Sequence, residues 1–315
     1  MPESSEEQPF FSVVMTAYNS ENYVARTIES ILAQTFPNWE LVIVDDHSSD
    51  YTPEIISKYA SADSRIKALR NESNLYISRS ANKGIAFAAG VWIVRLDSDD
   101  FFDPSYLEKL RAIIASEKVE LFFISSWITV IDEYGKKILD VRLPDADTIR
   151  KMMKIENFLY QSATSFPKRL WEMVGRYPEG GRELSEDTEL WKRFFNAGVK
   201  LHMLKEPLVS YRIHYSNTTS IKDAGLSFQP KPQDMKALRQ NKEWRISLYL
   251  KQKMLKSARE EIRELNRFQK NLSLKNIQYF ILTFLPESAV YFLMWELRPR
   301  LRYLLKNMRR RKIRV

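Results

Sequence analysis

The 315 residues contain no cysteine, which excludes a disulfide framework and cysteine-ligated zinc. Glycine is scarce, at eight. Neither G-x-G-x-x-G nor G-x-x-x-x-G-K-[ST] occurs, so a dinucleotide fingerprint and a P-loop are both excluded. The opening MPESSEEQPF lacks the apolar run of a secretory signal, and the expected compartment is therefore cytoplasmic. A long uninterrupted apolar run is missing too, because the best candidate, 277–297, is broken by Pro286, Glu287 and Glu296. Acidic residues are absent from 298–315, where nine Lys or Arg stand. That leaves as many bases as acids, 40 of each, in the rest of the chain. The net charge of +9 is thus a property of the tail.

What is present suits one folded domain with an extension, at 44% hydrophobic and 28% charged residues. Short β-branched runs at 11–18, 39–46, 65–70 and 91–97 alternate with amphipathic helical stretches at 21–35, 52–62 and 78–89. This is the βαβ rhythm of a doubly wound, mostly parallel sheet. Ligands of such sheets bind beyond the carboxyl ends of the strands. Polar residues stand there: Tyr18 and Asn19, Asp45 and Asp46, then Asp97, Asp99 and Asp100.

With no glycine-rich phosphate loop, a diphosphate in that cleft needs another positive partner, and a hard divalent cation on carboxylate oxygens would supply it. Asp97, Asp99 and Asp100 are the candidate holders. The competing reading is that they cap the next helix, although Asp103 followed by Pro104 already offers a cap and a favourable first residue. A second cluster lies in RELSEDTELWKRFFNAG, where Trp191, Phe194 and Phe195 mark one helix face and Gly198 marks its end. Glu186 and Asp187 fall at its start, with Ser185 as a possible cap, so offsetting the helix dipole competes with catalysis there. His214, one of three histidines, follows an apolar run and is open to a packing or a ligating role.

Together these residues resemble the inverting glycosyltransferases of family 2. The resemblance rests on FSVVMTAYNSENYVARTIESILAQTFPNWELVIVDDHSSDYT, ANKGIAFAAGVWIVRLDSDD, SEDTELWKR and PLVSYRIHYSNTTS, in family order over about 10–220. It implies the GT-A fold: an α/β, Rossmann-like sheet with flanking helices, here followed by a helical extension. The expected divisions are a tail at 1–9, a catalytic domain at 10–225 and a basic extension at 226–315.

The resemblance also implies roles. Tyr18 matches the aromatic that stacks on the nucleobase, with Ala17 bringing backbone close, and Asp46 matches the carboxylate that accepts from the base imide. Asp97 and Asp99 match the DXD motif, with Asp99 the direct ligand of Mn2+ or Mg2+. His214 matches a histidine that approaches the metal or diphosphate, and Asp187 matches the catalytic base. Ala81 stands where many members carry Arg before the Asn, so Arg79 or Lys83 is expected to compensate at the phosphates. The implied reaction is a single displacement on a nucleotide-sugar, UDP-linked by default, with a lipid-linked or surface-polysaccharide glycan as acceptor. Residues 125–180 are expected to form acceptor-side loops.

Beyond about 225 the sequence becomes a Lys- and Glu-rich helical stretch (233–271), the apolar segment and the basic tail. These resemble a monotopic anchor on an anionic membrane surface, and the same apolar face could serve an oligomer. Rival functions fit less well. A nucleotidyltransferase needs a glycine-rich basic loop where AYNSENY stands. A haloacid-dehalogenase-type phosphatase needs an Asp pair after the first strand. A nucleic-acid binder would not carry cleft acids that repel phosphate.

Overall fold

The computed structural model describes residues 8–153, 157–179 and 186–214. The chain divides into two units, Met1–Arg212 and Ile213–Val315. The expected boundary at 225, the extension and Ser185 all lie outside the described residues. Among the described residues no helix is long and apolar enough to cross a membrane.

The first half follows the βαβ rhythm: β1 (Phe11–Ala17), α1 (Val24–Leu32), β2 (Trp39–Asp45), α2 (Thr52–Ala62), β3 (Ile66–Arg70), α3 (Tyr76–Phe87) and β4 (Trp92–Asp97). The strands pair in parallel in the order β3-β2-β1-β4. Strands covered on both faces must be apolar almost throughout, and Val13, Val14, Met15, Leu41, Val42, Ile43, Ile93 and Val94 are accordingly buried. Helix α3 packs against β1 and β2 through Gly84. A Cβ there would lie 2.7 Å from Val14 Cγ1 and 3.0 Å from Val44 Cγ2, so only glycine permits this approach.

The second half is mixed. It comprises β5 (Phe101–Phe102), α4 (Tyr106–Ser116), β6 (Phe122–Ile131), β7 (Lys137–Val141), α5 (Ala146–Met152), a 3-10 turn (Gln161–Ala163), β8 (Thr164–Pro167), α6 (Lys168–Val174), α7 (Glu186–Asn196) and β9 (Lys200–Arg212). The sheet continues β4-β8-β6-β9-β5, with β7 on β6. Strand β8 is antiparallel to both β4 and β6, whereas β6 and β9 run parallel. The 125–180 segment is therefore more than acceptor loops, since β6 and β8 complete the central sheet there.

Helix α7 is docked by an aromatic cluster in which Trp191 stacks on Phe123 of β6, with Phe166 and Phe194 edge-on. Burying each such ring contributes about 1.5–3 kcal/mol, which outweighs the small dipole effects of its acidic first turn. Past its end, Gly198 adopts φ +78, and Val199 N–H donates to Phe194 O, closing the helix as the sequence indicates.

Candidate active site at the carboxyl ends of the strands

The register of β1 places Ala17 opposite Asp45 of β2 and Thr16 opposite Asp97 of β4. Tyr18, Asp46 and the acidic turn therefore emerge along one edge. Asp46 N–H donates to Ala17 O at 2.8 Å, and the Tyr18 ring is 52% exposed. Asp45 is structural: its Oδ1 accepts from Ser48 N and its Oδ2 pairs with Arg70 at 3.2 Å. Asp46 divides its two oxygens. Oδ1 accepts from Asn71 Nδ2 and Leu75 N, both at 2.8 Å, which leaves Oδ2 as the oxygen for a further donor.

In the acidic turn the three carboxylates separate by partner. Asp100 is buried, with Ser162 Oγ donating to Oδ2 at 2.6 Å and Arg212 N to Oδ1 at 2.8 Å. Burial first, then Asp99 and Asp97, push its carboxyl well above the usual range. With both oxygens engaged by the protein, Asp100 fixes the turn. Arg212 adds a second clamp, donating from Nε to Asp99 O at 2.9 Å. The expected Asp103–Pro104 start of α4 is not found: the helix begins at Tyr106 with Ser105 as its N-cap and no side-chain capping bond, and Asp103 Oδ1 accepts from Ser105 N at 2.9 Å just before it.

Beneath Asp97 lies a wholly buried cation. Arg95, inside β4, donates from Nη1 to Val14 O at 2.6 Å, and its Nη2 stands 3.8 Å from Asp97 Oδ1. Its Nε is buried without a partner. The 3-10 turn braces the other side: Asp97 N–H donates to Ser162 Oγ at 3.1 Å, and Gln161 Nε2 donates to Asp97 Oδ1 at 3.4 Å. The Asp97 carboxyl is pushed up by burial, which Arg95 opposes, with Asp99, Glu186 and Asp187 adding to the rise. Its side chain keeps 31% exposure, so the acid remains open to a ligand.

Glu186 and Asp187 both raise the Asp97 carboxyl, although ninety residues separate Asp187 from Asp97 in sequence. Asp187 sits in the first turn of α7, and Asn157 Nδ2 donates to its Oδ2 at 3.1 Å. The Tyr177 ring centroid lies 6.0 Å from the Arg95 guanidinium, and its buried phenol is raised by burial first, against Arg95, with Asp187, Glu186 and Asp97 adding to the rise. The Tyr177 backbone is anchored by Asn82, which accepts from Tyr177 N at 3.0 Å and donates to Tyr177 O at 3.0 Å.

The remaining candidates fall elsewhere. Lys83 Nζ donates to Arg70 O and Asn71 Oδ1, which ties it to the end of β3. Arg79 pairs with Glu179 at 3.7 Å while more than half exposed. Ala81 is buried in α3. His214 stands two residues past β9, beyond the division between the two units. Sequence reading missed Asn157, Ser162, Tyr177 and Arg212, none of which carries a local signal. It also passed over Arg95, although a charge inside the apolar run VWIVRLD is such a signal.

The donor set suits a divalent cation. Burial and neighbouring acids disfavour the charged form of the Asp97 carboxyl, and a cation beside it would restore that form. Among the described residues no three His, Asp or Glu side chains form a complete metal group, so diphosphate and water oxygens would complete the shell.

A mixed α/β sheet whose parallel strands end in an exposed aromatic and an acidic turn has the ligand-binding edge of the doubly wound class. The family model described as Glycosyl transferase family 2 matches residues 12–170. The putative glycosyltransferase EpsE of Bacillus subtilis (strain 168) is 33% identical over 205 residues, 65% of this chain and 73% of that protein. The UDP-Glc:alpha-D-GlcNAc-diphosphoundecaprenol beta-1,3-glucosyltransferase WfgD of Escherichia coli is 35% identical over 112 residues, 36% of this chain and 44% of its own. Among solved structures, S. aureus TarS 1-349 in complex with UDP-GlcNAc superposes with a TM-score of 0.54 at 21% identity, over 73% of this chain and 64% of that one. The chain belongs to glycosyltransferase family 2, and its fold is GT-A.

Proposed function

We propose that this protein is a metal-dependent, inverting glycosyltransferase that moves a sugar from a UDP-linked donor to a hydroxyl of a lipid-linked glycan in surface-polysaccharide assembly. The observation that carries the reading is the register of β2, β1 and β4, which sets Tyr18, Asp46 and the acidic turn along one edge of the parallel strands. WfgD, whose name states a UDP-glucose donor and a diphosphoundecaprenol acceptor, and the UDP-GlcNAc complex of TarS support the choice of donor and acceptor class.

In this reading Tyr18 stacks on the base, Ala17 lets it approach the backbone, and Asp46 Oδ2 accepts from its imide N–H. Asp97 and Asp99 would hold Mn2+ or Mg2+, and Arg79, more than half exposed, is the candidate for the phosphates. The cation, when bound, neutralises charge on the departing diphosphate. Asp187 removes the acceptor hydroxyl proton as that oxygen bonds to the anomeric carbon. The bond to the diphosphate breaks on the opposite face, so configuration inverts. Asn157 holds Asp187 in register for this. Residues 277–315 bind the cytoplasmic leaflet as a peripheral anchor, bringing the cleft to its acceptor.

Incubating the protein with a panel of UDP- and GDP-sugars, Mn2+ and lipid-linked acceptors tests the proposal. The expected product of an α-linked donor is a β-glycoside by NMR. Retention of configuration, or no turnover of any nucleotide-sugar, contradicts it.

A further inference from the structure

Tyr76 follows β3 at the edge that carries Tyr18 and Asp46, and the proposed mechanism does not use it. Its ring is 57% exposed, and its backbone is left-handed at φ 66. Among the described residues Asn19 (φ 48), His47 (φ 65) and Arg176 (φ 65) are the other non-glycine residues with positive φ. Asn19, His47 and Tyr76 follow β1, β2 and β3 in turn, so the left-handed bends gather along the cleft. Asn and His enter that region comparatively readily, whereas a bulky aromatic is an outlier there. Strain of this kind persists where surrounding contacts enforce it, and it concentrates at ligand sites.

The enforcing contacts are present. Tyr76 N–H donates to Asn74 Oδ1 at 3.0 Å, and Leu75 N–H donates to Asp46 Oδ1 at 2.8 Å. Asp46 therefore holds the Tyr76 turn with one oxygen and keeps the other for a ligand. In the strand order β3-β2-β1, the end of β2 that bears Asp46 lies between the loop of Tyr18 and the loop of Tyr76.

We propose that Tyr76 is a specificity-determining residue that forms the second aromatic wall of the nucleobase site, facing Tyr18 across the base that Asp46 reads. This rests on the nucleotide-sugar reading above. A planar base between two rings gains affinity from stacking on both faces, while the carboxylate selects the hydrogen-bonding edge. The ring of Tyr76 matters in this arrangement and its hydroxyl does not, and the effect belongs to the nucleoside rather than the diphosphate.

The test is calorimetry on the full chain with Mg2+ and either UDP or inorganic pyrophosphate, for wild type, Tyr76→Phe and Tyr76→Gly, alongside thermal unfolding of the free proteins. The phenylalanine variant should bind UDP as wild type does. The glycine variant should bind UDP on the order of tenfold more weakly with pyrophosphate affinity unchanged. Glycine takes the left-handed backbone without strain, so its Tm should rise by about 2–4 °C. Unchanged UDP affinity in the glycine variant overturns the proposal, as does a lowered Tm with parallel loss of UDP and pyrophosphate, which would mark Tyr76 as packing. If wild type binds neither UDP nor GDP, the nucleotide-sugar reading itself fails, and the assignment of Tyr76 falls with it.

Discussion

The Arg95 guanidinium, wholly buried in β4, stands 3.8 Å from the Asp97 carboxylate. It favours the charged form of an acid that burial, Asp99, Glu186 and Asp187 all disfavour. Removing one partner of a buried pair costs up to about 3–5 kcal/mol. Asp97 is 31% exposed, so Arg95→Met should cost less, about 1–3 kcal/mol by urea unfolding. A double-mutant cycle with Asp97→Asn should reveal a coupling of about 1 kcal/mol. Strict additivity would confine Arg95 to bracing Val14 O.

Asp187→Asn should leave UDP-sugar affinity and Tm near wild type while transfer falls on the order of 10²–10⁴-fold, because the lost contact serves the transition state. Asn157→Ala, which only frees the carboxylate from its clamp, should reduce turnover by about tenfold with the donor KM little changed. Steady-state kinetics with authentic acceptor decides both. Normal turnover in Asp187→Asn would return that residue to balancing the helix dipole.

Trp191→Ala provides the structural contrast. The side chain is fully buried against Phe123 and Phe194, so the cavity should cost about 3–5 kcal/mol. Stability and activity should then fall together, because α7 carries Asp187. A stable but inactive Trp191→Ala protein would mean that α7 is not docked by this cluster.

The parallel half of the fold was legible in the sequence because strands covered on both faces leave unbroken apolar runs. The runs at 39–46 and 91–97 match β2 and β4 to within a residue at each end. The Gly198 stop on α7 was legible because a left-handed helix end has one preferred residue. Strand β8 was not, since four residues of mixed polarity carry no period and are recruited only by β4 and β6 on either side. The acids Asp97, Asp99 and Asp187 could be singled out by residue type and resemblance. What distinguishes Asp100 from its neighbours is Ser162 and Arg212, 62 and 112 positions away, and no local pattern encodes those contacts.

The proposed anchor makes a separable prediction. At an anionic surface each Lys or Arg contributes about 1 kcal/mol, and the segment 298–315 holds nine of them. Full-length protein should co-sediment with phosphatidylserine vesicles at low salt, less so as salt rises, and a chain ending at residue 274 should not. Vesicle binding equal in both proteins would remove the anchor.

The most direct test of the account is calorimetric titration of UDP into wild type with Mn2+, wild type with EDTA, and Asp99→Asn with Mn2+. Tight binding in the first case and strongly weakened binding in the other two is predicted, because the cleft's acids repel the diphosphate unless a cation joins them. Equal affinity in all three would contradict the metal role of the acidic turn and the mechanism built on it.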